Sequence, residues 1–205
     1  MKPADLGKKY DKIAHLWQDE HGDSTYGVAQ VENALRYREG GGSSLDVGCG
    51  AGGRIVRLLQ RDGYKVTGLD VSSEMIKLAT ENHPDERFIH QDICTWDSTK
   101  GFDFIVAWDS IFHLPFDQQK PVVEKLCRLL KSDGLLIYTF GNATGEHTDK
   151  WHGDTFYYSS IGINDNLQLL IDNGLKILHV ELDQYPLRHV YVIAKKSCHA
   201  SQKHR

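Results

Sequence analysis

The chain has 205 residues, a length that suits one domain with a full hydrophobic core. Apolar residues make up 40% of the sequence and charged residues 25%, which excludes a disordered or fibrous protein. The net charge of -4 argues against a protein that holds nucleic acid or an anionic membrane by a basic surface.

The opening residues 1–17 are charged and lack the apolar core of a signal peptide. The four cysteines, at positions 49, 94, 127 and 198, form no CxxC pair. We therefore expect a cytoplasmic protein with neither a membrane nor nucleic acid as a partner. The oligomeric state, monomer or homodimer, stays open.

Two amphipathic helices are predicted first in the chain, over residues 5–20 and 28–38. We expect residues 1–39, which contain them, to cover a site built by a single domain over residues 40–196. The remaining residues 197–205 have no apolar periodicity and are predicted to be a frayed tail.

Short strands alternate with helices from residue 44 onward. The strands are predicted at 44–47, 65–70, 87–90, 102–107, 134–140, 176–182 and 189–196, and the helices at 53–63, 72–83, 117–134 and 164–175. This alternation predicts an α/β fold, a Rossmann-like three-layer sandwich with a seven-stranded, mostly parallel sheet. The connection between the last two strands is too short for a parallel crossover, so the last strand should be antiparallel.

The stretch "LDVGCGAGG" at residues 45–53 joins the first of these strands to a helix through a glycine-rich turn. Glycines let a ligand approach the backbone, and a helix N-terminus offers unpaired N–H groups. With an acidic residue, Asp70, about 20 positions further on, the turn also fits a dinucleotide fingerprint. An NAD-dependent oxidoreductase is therefore a rival interpretation at this point.

Three acidic residues end or follow three successive strands: Asp46, Asp70 and Asp92. We expect them to meet at the carboxyl edge of the sheet, where open α/β folds bind ligands. Asp46 beside the glycine turn would repel a pyrophosphate and suits a cationic ligand. Asp70 is placed to accept hydrogen bonds from ribose hydroxyls, and Asp92 with Ile93 suits an adenine ring.

The order of these motifs resembles the class I S-adenosylmethionine-dependent methyltransferase family. "LDVGCGAGG" is similar to the first motif of that family, "VTGLDVSSEMIKLA" to the second, "FIHQDI" to the third and "FDFIVAWDSIFHL" to the fourth. "LLKSDGLLIYTF" resembles the segment that carries the fifth strand. The strong resemblance covers residues 40–140, and the order of strands and helices extends it to about residue 196.

The resemblance implies S-adenosylmethionine as the cofactor and carries roles to single residues. Gly48 and Gly50 would cradle the methionine part, with Asp46 acting indirectly on its ammonium group, and Asp70 would bind the ribose. The other implied contacts are Val71, Met75, Asp92 and Ile93 at the adenine and Trp108 near the sulfonium.

The methyl acceptor is expected to be a small molecule. Residues 107–115 lack the N-P-P-Y type of sequence that some methyltransferases of DNA and protein use, and there is no Pro-Cys pair of the cytosine C5 type. His113 is the candidate catalytic residue, as a general base or as a group that orients the acceptor. The alternative for His113 is simple packing at the start of the next helix, and the atom that is methylated stays open.

The segment 141–162 shows little periodicity and is long for a connection, as lids and binding loops often are. Aromatic and histidine side chains there and in the N-terminal helices are candidates for acceptor binding. They are Trp17, Tyr26, Trp151, His152 and Tyr157. Packing of these side chains onto the domain is the alternative.

We predict no metal site, because His147 and His152 lack an obvious third ligand. Two alternatives to a methyltransferase remain open from the residues. One is a non-catalytic protein that binds S-adenosylmethionine, and the other is the NAD-dependent oxidoreductase.

Overall fold

The computed structural model describes residues 1–184, 186 and 188–197, so Cys198 and the rest of the predicted tail lie outside the described residues. The strands are β1 (Gly42–Val47), β2 (Tyr64–Asp70), β3 (Arg87–His90), β4 (Phe102–Ala107), β5 (Leu130–Gly141), β6 (Thr144–Trp151), β7 (Asp154–Ile161), β8 (Leu175–Asp183) and β9 (His189–Lys196). The helices are α1 (Pro3–His21), α2 (Val28–Leu35), α3 (Arg54–Arg61), α4 (Ser73–Asn82), α5 (Gln119–Leu129) and α6 (Gly162–Asp172).

Seven of the strands form one sheet in the order β3-β2-β1-β4-β5-β9-β8. Strands β1 to β5 pair in parallel, and β9 is antiparallel to both of its neighbours, β5 and β8. The predicted α/β fold is confirmed, including the antiparallel last strand. The short connection between β8 and β9 forces that reversal, since a parallel crossover needs a dozen or more residues.

The central strands are buried on both faces because helices cover the sheet from two sides. One face packs against α5 and α6, through residues such as Leu126 and Leu170. The other face packs against α2 and α3, where Val31 and Leu59 are fully buried. Burial on both faces explains why the central strands are near-continuous apolar runs rather than alternating ones.

The boundary between α5 and β5 differs from the sequence prediction. Residues 117–134 are predicted as one helix, but the helix gives way to β5 at Leu130. Lys196 on β9 donates hydrogen bonds to the carbonyl oxygens of Cys127 and Leu130, each at 2.9 Å. These carbonyls are among those that a helix end leaves unpaired, so the helix ends here without a glycine. Gly134, the last residue of the predicted helix, lies inside the strand.

The segment 141–162 is not an irregular loop but contains an antiparallel hairpin of β6 and β7. His152 and Gly153, with φ of 46° and 76°, connect the two strands in left-handed conformations that suit a two-residue hairpin turn. The prediction of a loop without strands was wrong because β6 is almost entirely exposed and therefore shows no apolar alternation. β7 buries Phe156, whose side chain anchors the hairpin on the domain.

Helix α1 lies across the end of the sheet and is fixed to the turn between β2 and α4. A Cβ atom at Gly7 would lie only 2.1 Å from the carbonyl oxygen of Val71, so glycine is required for this approach. The carboxylate of Asp11 accepts hydrogen bonds from the hydroxyl of Ser72, at 2.7 Å, and the amide of Glu74, at 3.1 Å. Asp11 thus caps α4 from another helix, where a negative charge is favoured.

The opposite side of α1 is joined to the hairpin. Lys9 and Lys12 both form ion pairs with Asp154 at the start of β7. Helix α1 is therefore held between the loops at the edge of the sheet and the hairpin. Within the part of the chain that the structure describes, no helix has the length and apolar character needed to cross a membrane.

Candidate cofactor and acceptor site

A cavity of about 550 Å³ opens at the carboxyl edge of the parallel strands, beneath α1. Its volume is in the range typical of small-molecule sites. The structure brings all nine residues predicted to bind the cofactor to its wall, namely Asp46, Gly48, Gly50, Asp70, Val71, Met75, Asp92, Ile93 and Trp108. The convergence follows from the parallel sheet, which ends β1, β2, β3 and β4 at the same edge.

Asp46 is a buried carboxyl group, with 4% of the residue exposed. Burial, followed by the negative charge of Asp70, raises its pKa to about 7, while the positive charge of Arg54 acts in the opposite direction. A carboxyl group in this position strongly favours a cationic ligand, because a nearby positive charge stabilises its ionised form.

The glycine turn is tightly constrained at Gly48. This residue has a φ of 75°, and a Cβ atom on it would lie 2.2 Å from the Cβ of Ser110. At Gly50, by contrast, an added Cβ would meet only the indole nitrogen of Trp17, at 3.6 Å, and the sulfur of Met75, at 4.0 Å. The backbone there borders free space, as a turn that holds a ligand should.

Asp70 ends β2 and organises the loops around it. Its two carboxylate oxygens accept hydrogen bonds from the amides of Gly50 and Ser72, each at 2.9 Å. Burial raises the pKa of Asp70, and these hydrogen bonds partly offset that effect. A carboxylate oxygen accepts more than one hydrogen bond, so the group retains capacity for ligand hydroxyls.

The loop that carries Asp92 and Ile93 is held from below by Lys125 on α5. The ammonium group of Lys125 donates to the carbonyl oxygens of Ile93, Cys94 and Trp96 at 2.7, 2.9 and 2.8 Å. Asp92 closes the same turn by accepting the amide of Cys94 at 2.8 Å. With all three donors of the lysine used, the loop is fixed in one conformation and presents Ile93 to the cavity.

Three residues at the cavity carry buried polar atoms that have no hydrogen-bond partner among the described residues. They are the amide oxygen of Gln18, the indole nitrogen of Trp108 and the hydroxyl of Ser110. Such atoms are rare in native proteins unless a ligand or water pairs with them. Two possible donors and one acceptor suit a ligand that has both a carboxylate and an ammonium group. The amino-acid end of S-adenosylmethionine fits this set.

His113 lies at the end of a short 3₁₀ turn, 6% exposed, and lines the cavity. Its Nδ1 donates to the carbonyl oxygen of Tyr157 at 2.8 Å, which leaves Nε2 free to accept the hydroxyl of Tyr10 at 3.2 Å. Burial lowers the pKa of His113 to about 4, so the imidazole is neutral near pH 7. The site therefore contains an uncharged histidine with a hydroxyl aimed at its lone pair.

The five residues predicted to bind the acceptor divide into two groups. Trp17 and Tyr26 line the cavity, whereas Trp151, His152 and Tyr157 are not among its lining residues. Trp151 packs behind the wall, with its ring centroid 5.5 Å from that of Trp17. His152 faces Glu20 on α1, and the side chain of Tyr157 donates to Glu146 within the hairpin. Their separation from the cavity follows from the hairpin, which the sequence prediction did not include.

Among the described residues, no group of three or more His, Cys, Asp and Glu side chains is arranged to hold a metal ion. His147 stacks on Tyr158, with ring centroids 5.2 Å apart, rather than approaching His152.

The cavity also contains residues that the sequence analysis did not select, chiefly Arg54, Asp109 and Ser110. Asp109 lies two positions after β4, so the strand-end rule that selected Asp70 could have selected it. Arg54 directly follows the glycine turn, and that position is the signal that could have found it. Ser110 gave no such signal. Its role depends on the contact with Gly48, which only the fold creates.

Comparison with known proteins supports a site for S-adenosylmethionine. Residues 45–134 match a family model described as a methyltransferase domain. The structure is similar to a 1,6-didemethyltoxoflavin-N1-methyltransferase of Burkholderia thailandensis, with a TM-score of 0.71 and 19% identity over 96% of this chain and 91% of that one. The match and the shared fold support the resemblance of this chain to the class I S-adenosylmethionine-dependent methyltransferases.

Three relatives in sequence are each less than 30% identical to this chain. A ubiquinone biosynthesis O-methyltransferase of Nitrosomonas europaea is 27% identical over 80% of this chain and 70% of its own length. Phosphoethanolamine N-methyltransferase 2 of Caenorhabditis elegans is 26% identical over 79% of this chain and 38% of its own length. A relative from Geobacillus sp. is matched over 56% of its own length. The chain thus spans about half of the length of the first relatives that it matches.

Proposed function

We propose that this protein transfers a methyl group from S-adenosylmethionine to a small-molecule acceptor. The observation that carries the proposal is the convergence of Asp46, Asp70 and Asp92 with the glycine turn on one cavity. A pyrophosphate-bearing cofactor such as NAD would meet the buried carboxyl group of Asp46, which disfavours the oxidoreductase alternative.

The residues of the cavity suit the parts of S-adenosylmethionine one by one. Gly48 and Gly50 would admit the methionine part, whose carboxylate has Arg54 and the hydroxyl of Ser110 as available partners. Its ammonium group would interact with Gln18 and with the ionised form of Asp46. The nucleoside end would contact Asp70 at the ribose, and Val71, Met75, Asp92 and Ile93 at the adenine, with Trp108 near the sulfonium.

Bound S-adenosylmethionine supplies a methyl group on a sulfonium, which is already an activated leaving group. The protein therefore needs mainly to align the acceptor and exclude water, which is worth about 7–11 kcal/mol in well-oriented reactions. Helix α1 closes the cavity on the side of the methionine end. We propose that residues 1–39 serve as this cover and that residues 40–196 form the catalytic domain.

His113 is proposed to act through Nε2, the ring nitrogen that faces the hydroxyl of Tyr10. Because the pKa of His113 is about 4, the group is a weak base but stays neutral and able to accept a proton throughout the physiological range. Tyr10 donates to the same nitrogen, so an acceptor hydroxyl or amine could pass its proton through Tyr10 or displace it. Trp17 and Tyr26 are proposed to contact the acceptor directly, and Trp151, His152 and Tyr157 to support α1 and the hairpin behind them.

The proposal is tested by ligand-induced thermal stabilisation. S-adenosylmethionine and S-adenosylhomocysteine, at about 100 times their dissociation constants, should each stabilise the fold by about 2.7 kcal/mol. NAD at the same concentration should have no effect. A rise in melting temperature with NAD alone would contradict the proposal. Release of S-adenosylhomocysteine in the presence of a metabolite library would then separate an enzyme from a protein that only binds the cofactor.

We expect the affinity for S-adenosylmethionine to rise between pH 6 and pH 8. In the free protein the pKa of Asp46 is about 7, so this group is largely protonated at pH 6 and largely ionised at pH 8. A cationic ligand favours the ionised form and lowers the pKa, so binding releases a proton and strengthens as pH rises. The same raised pKa means that Asp46 lowers the stability of the free fold as pH rises from 3.8, its ordinary pKa, to about 7.

Isothermal titration in buffers of different ionisation enthalpy measures the proton released. The isosteric variant Asp46→Asn should remove both the proton release and the pH dependence. An unchanged pH profile in this variant would show that another group titrates.

The cytoplasmic location and the monomeric or homodimeric state expected from the sequence stay predictions.

A further inference from the structure

Asp109 is held in an uncommon conformation at the wall of the cavity. It has a φ of 52°, in the left-handed region that few residues other than glycine adopt. Its amide donates to the hydroxyl of Thr139 on β5 at 2.8 Å, which fixes the backbone in place. Strained residues that the surrounding structure maintains occur preferentially at functional sites.

The carboxylate of Asp109 is positioned by a histidine from the far end of the chain. Nε2 of His189 on β9 lies 2.7 Å from an oxygen of Asp109, and Nδ1 of the same ring contacts the carboxylate of Asp183 on β8. Burial disfavours the charged imidazole, but the hydrogen bonds and charges of the two aspartates outweigh it and raise the pKa of His189. Both ring nitrogens then donate, and the ring orients Asp109.

Asp109 has uncharged aromatic and histidine side chains among its neighbours. Tyr10, Tyr26 and His113 are neutral there, since burial raises the pKa of both tyrosines and lowers that of the histidine. Arg54 is the positive group on α3 that faces both Asp46 and Asp109. Its guanidinium donates to the carbonyl oxygen of Tyr26, and it is the proposed partner of the cofactor carboxylate.

The cavity as a whole has an excess of acidic groups. Five aspartates line it, against two arginines, and the aromatic rings of Tyr10, Trp17, Tyr26 and Trp108 complete the wall. The ring of Trp108, next to Asp109 in the chain, lies edge to face with that of Tyr26, with 5.9 Å between their centroids. A carboxylate beside such rings attracts an organic cation by charge and by cation–π interaction.

Resting on the proposed function, we infer that Asp109 recognises the methyl acceptor and that the site selects acceptors with an amino group over those with a carboxylate. His189 and Asp183 are the residues that position Asp109. A carboxylate accepts hydrogen bonds and cannot donate them, so an amine is matched at Asp109 and an anionic acceptor is repelled.

The test uses matched pairs of aromatic probes that differ only in charge, added to protein saturated with S-adenosylhomocysteine. Tryptamine is compared with indole-3-acetate, and tyramine with 4-hydroxyphenylacetate. We expect the amines to raise the melting temperature and the acids to leave it unchanged. Equal stabilisation by the acids, or stabilisation by neither series, would overturn the inference.

Variants then assign the preference to the three residues. Asp109→Asn should abolish the difference between amines and acids, and His189→Gln and Asp183→Asn should each at least halve it. His179→Gln is the matched control, because His179 bonds to Glu181 and Tyr191 away from the cavity. A preference that survives in Asp109→Asn would also overturn the inference.

The stabilisation produced by S-adenosylhomocysteine alone separates this inference from the proposed function. If that ligand stabilises the parent protein and the amine preference is missing, the inference fails and the proposed function stands. If S-adenosylhomocysteine does not bind, the proposed function itself fails. For any variant, a retained response to S-adenosylhomocysteine shows that the fold is intact and that a lost preference is specific.

Discussion

Replacement of Asp70 by alanine should weaken the binding of S-adenosylhomocysteine by about 100-fold, which corresponds to about 2.7 kcal/mol. The carboxylate of Asp70 is the proposed acceptor for the ribose hydroxyls, and hydrogen bonds to a charged group are worth about 1.5–3 kcal/mol. It also holds the amides of Gly50 and Ser72 at 2.9 Å, so its loss releases both loops that border the proposed cofactor site. Isothermal titration calorimetry measures the change directly.

Two further variants make this result specific. Asp70→Asn keeps the shape and one acceptor oxygen but loses the charge, so its affinity should lie between those of the parent and the alanine variant. Asp85→Ala removes an exposed aspartate between α4 and β3 and should leave the affinity unchanged. If Asp70→Ala binds as tightly as the parent protein, the ribose assignment is wrong.

Replacement of Gly48 by alanine should lower the free energy of unfolding by about 2–5 kcal/mol and remove cofactor binding. A methyl group would lie 2.2 Å from the Cβ of Ser110, and overpacking of this kind costs about 1–3 kcal/mol. The φ of 75° adds about 1–2 kcal/mol, because a side chain is disfavoured in the left-handed region. Denaturant unfolding and the thermal response to S-adenosylhomocysteine report the two effects separately.

Two further variants separate the contributions of backbone strain and steric overlap to the loss of stability. Gly174 has a φ of 76° with no atom within 4 Å of an added Cβ, so Gly174→Ala should show the strain alone. Adding Ser110→Gly to Gly48→Ala removes the overlapping side-chain atoms and should restore the part of the loss that comes from overlap, about 1–3 kcal/mol. A double variant no more stable than Gly48→Ala would mean that Ser110 is not the obstacle.

Asp70 and Gly48 differ in how far their roles can be predicted from the sequence. Asp70 is recognisable because it ends an apolar strand, and a strand end in a parallel sheet has a known location. The requirement for glycine at position 48 is also visible in the motif, but its cause is not. Ser110 follows β4, and it meets Gly48 only because β1 and β4 are neighbours in the sheet.

The hairpin shows where local patterns fail. The sequence predicts a loop over 141–162, because β6 has no buried face to impose alternation. Its pairing with β7 uses backbone groups, and the ion pairs of Asp154 with α1 are long-range contacts, so neither leaves a periodic trace in the sequence. The positions of Trp151, His152 and Tyr157 behind the cavity wall were for that reason beyond the reach of the sequence.

The α/β architecture and the meeting of three acids at one cavity were predictable from the sequence, because apolar periodicity and the polarity of strand ends are local properties. The tertiary structure decided which groups surround the acceptor. His189 reaches Asp109 across 80 positions of the chain, because β9 lies beside β5 and β5 beside β4. No local pattern specifies such a contact, since it depends on the order of strands in the sheet rather than on their order in the chain.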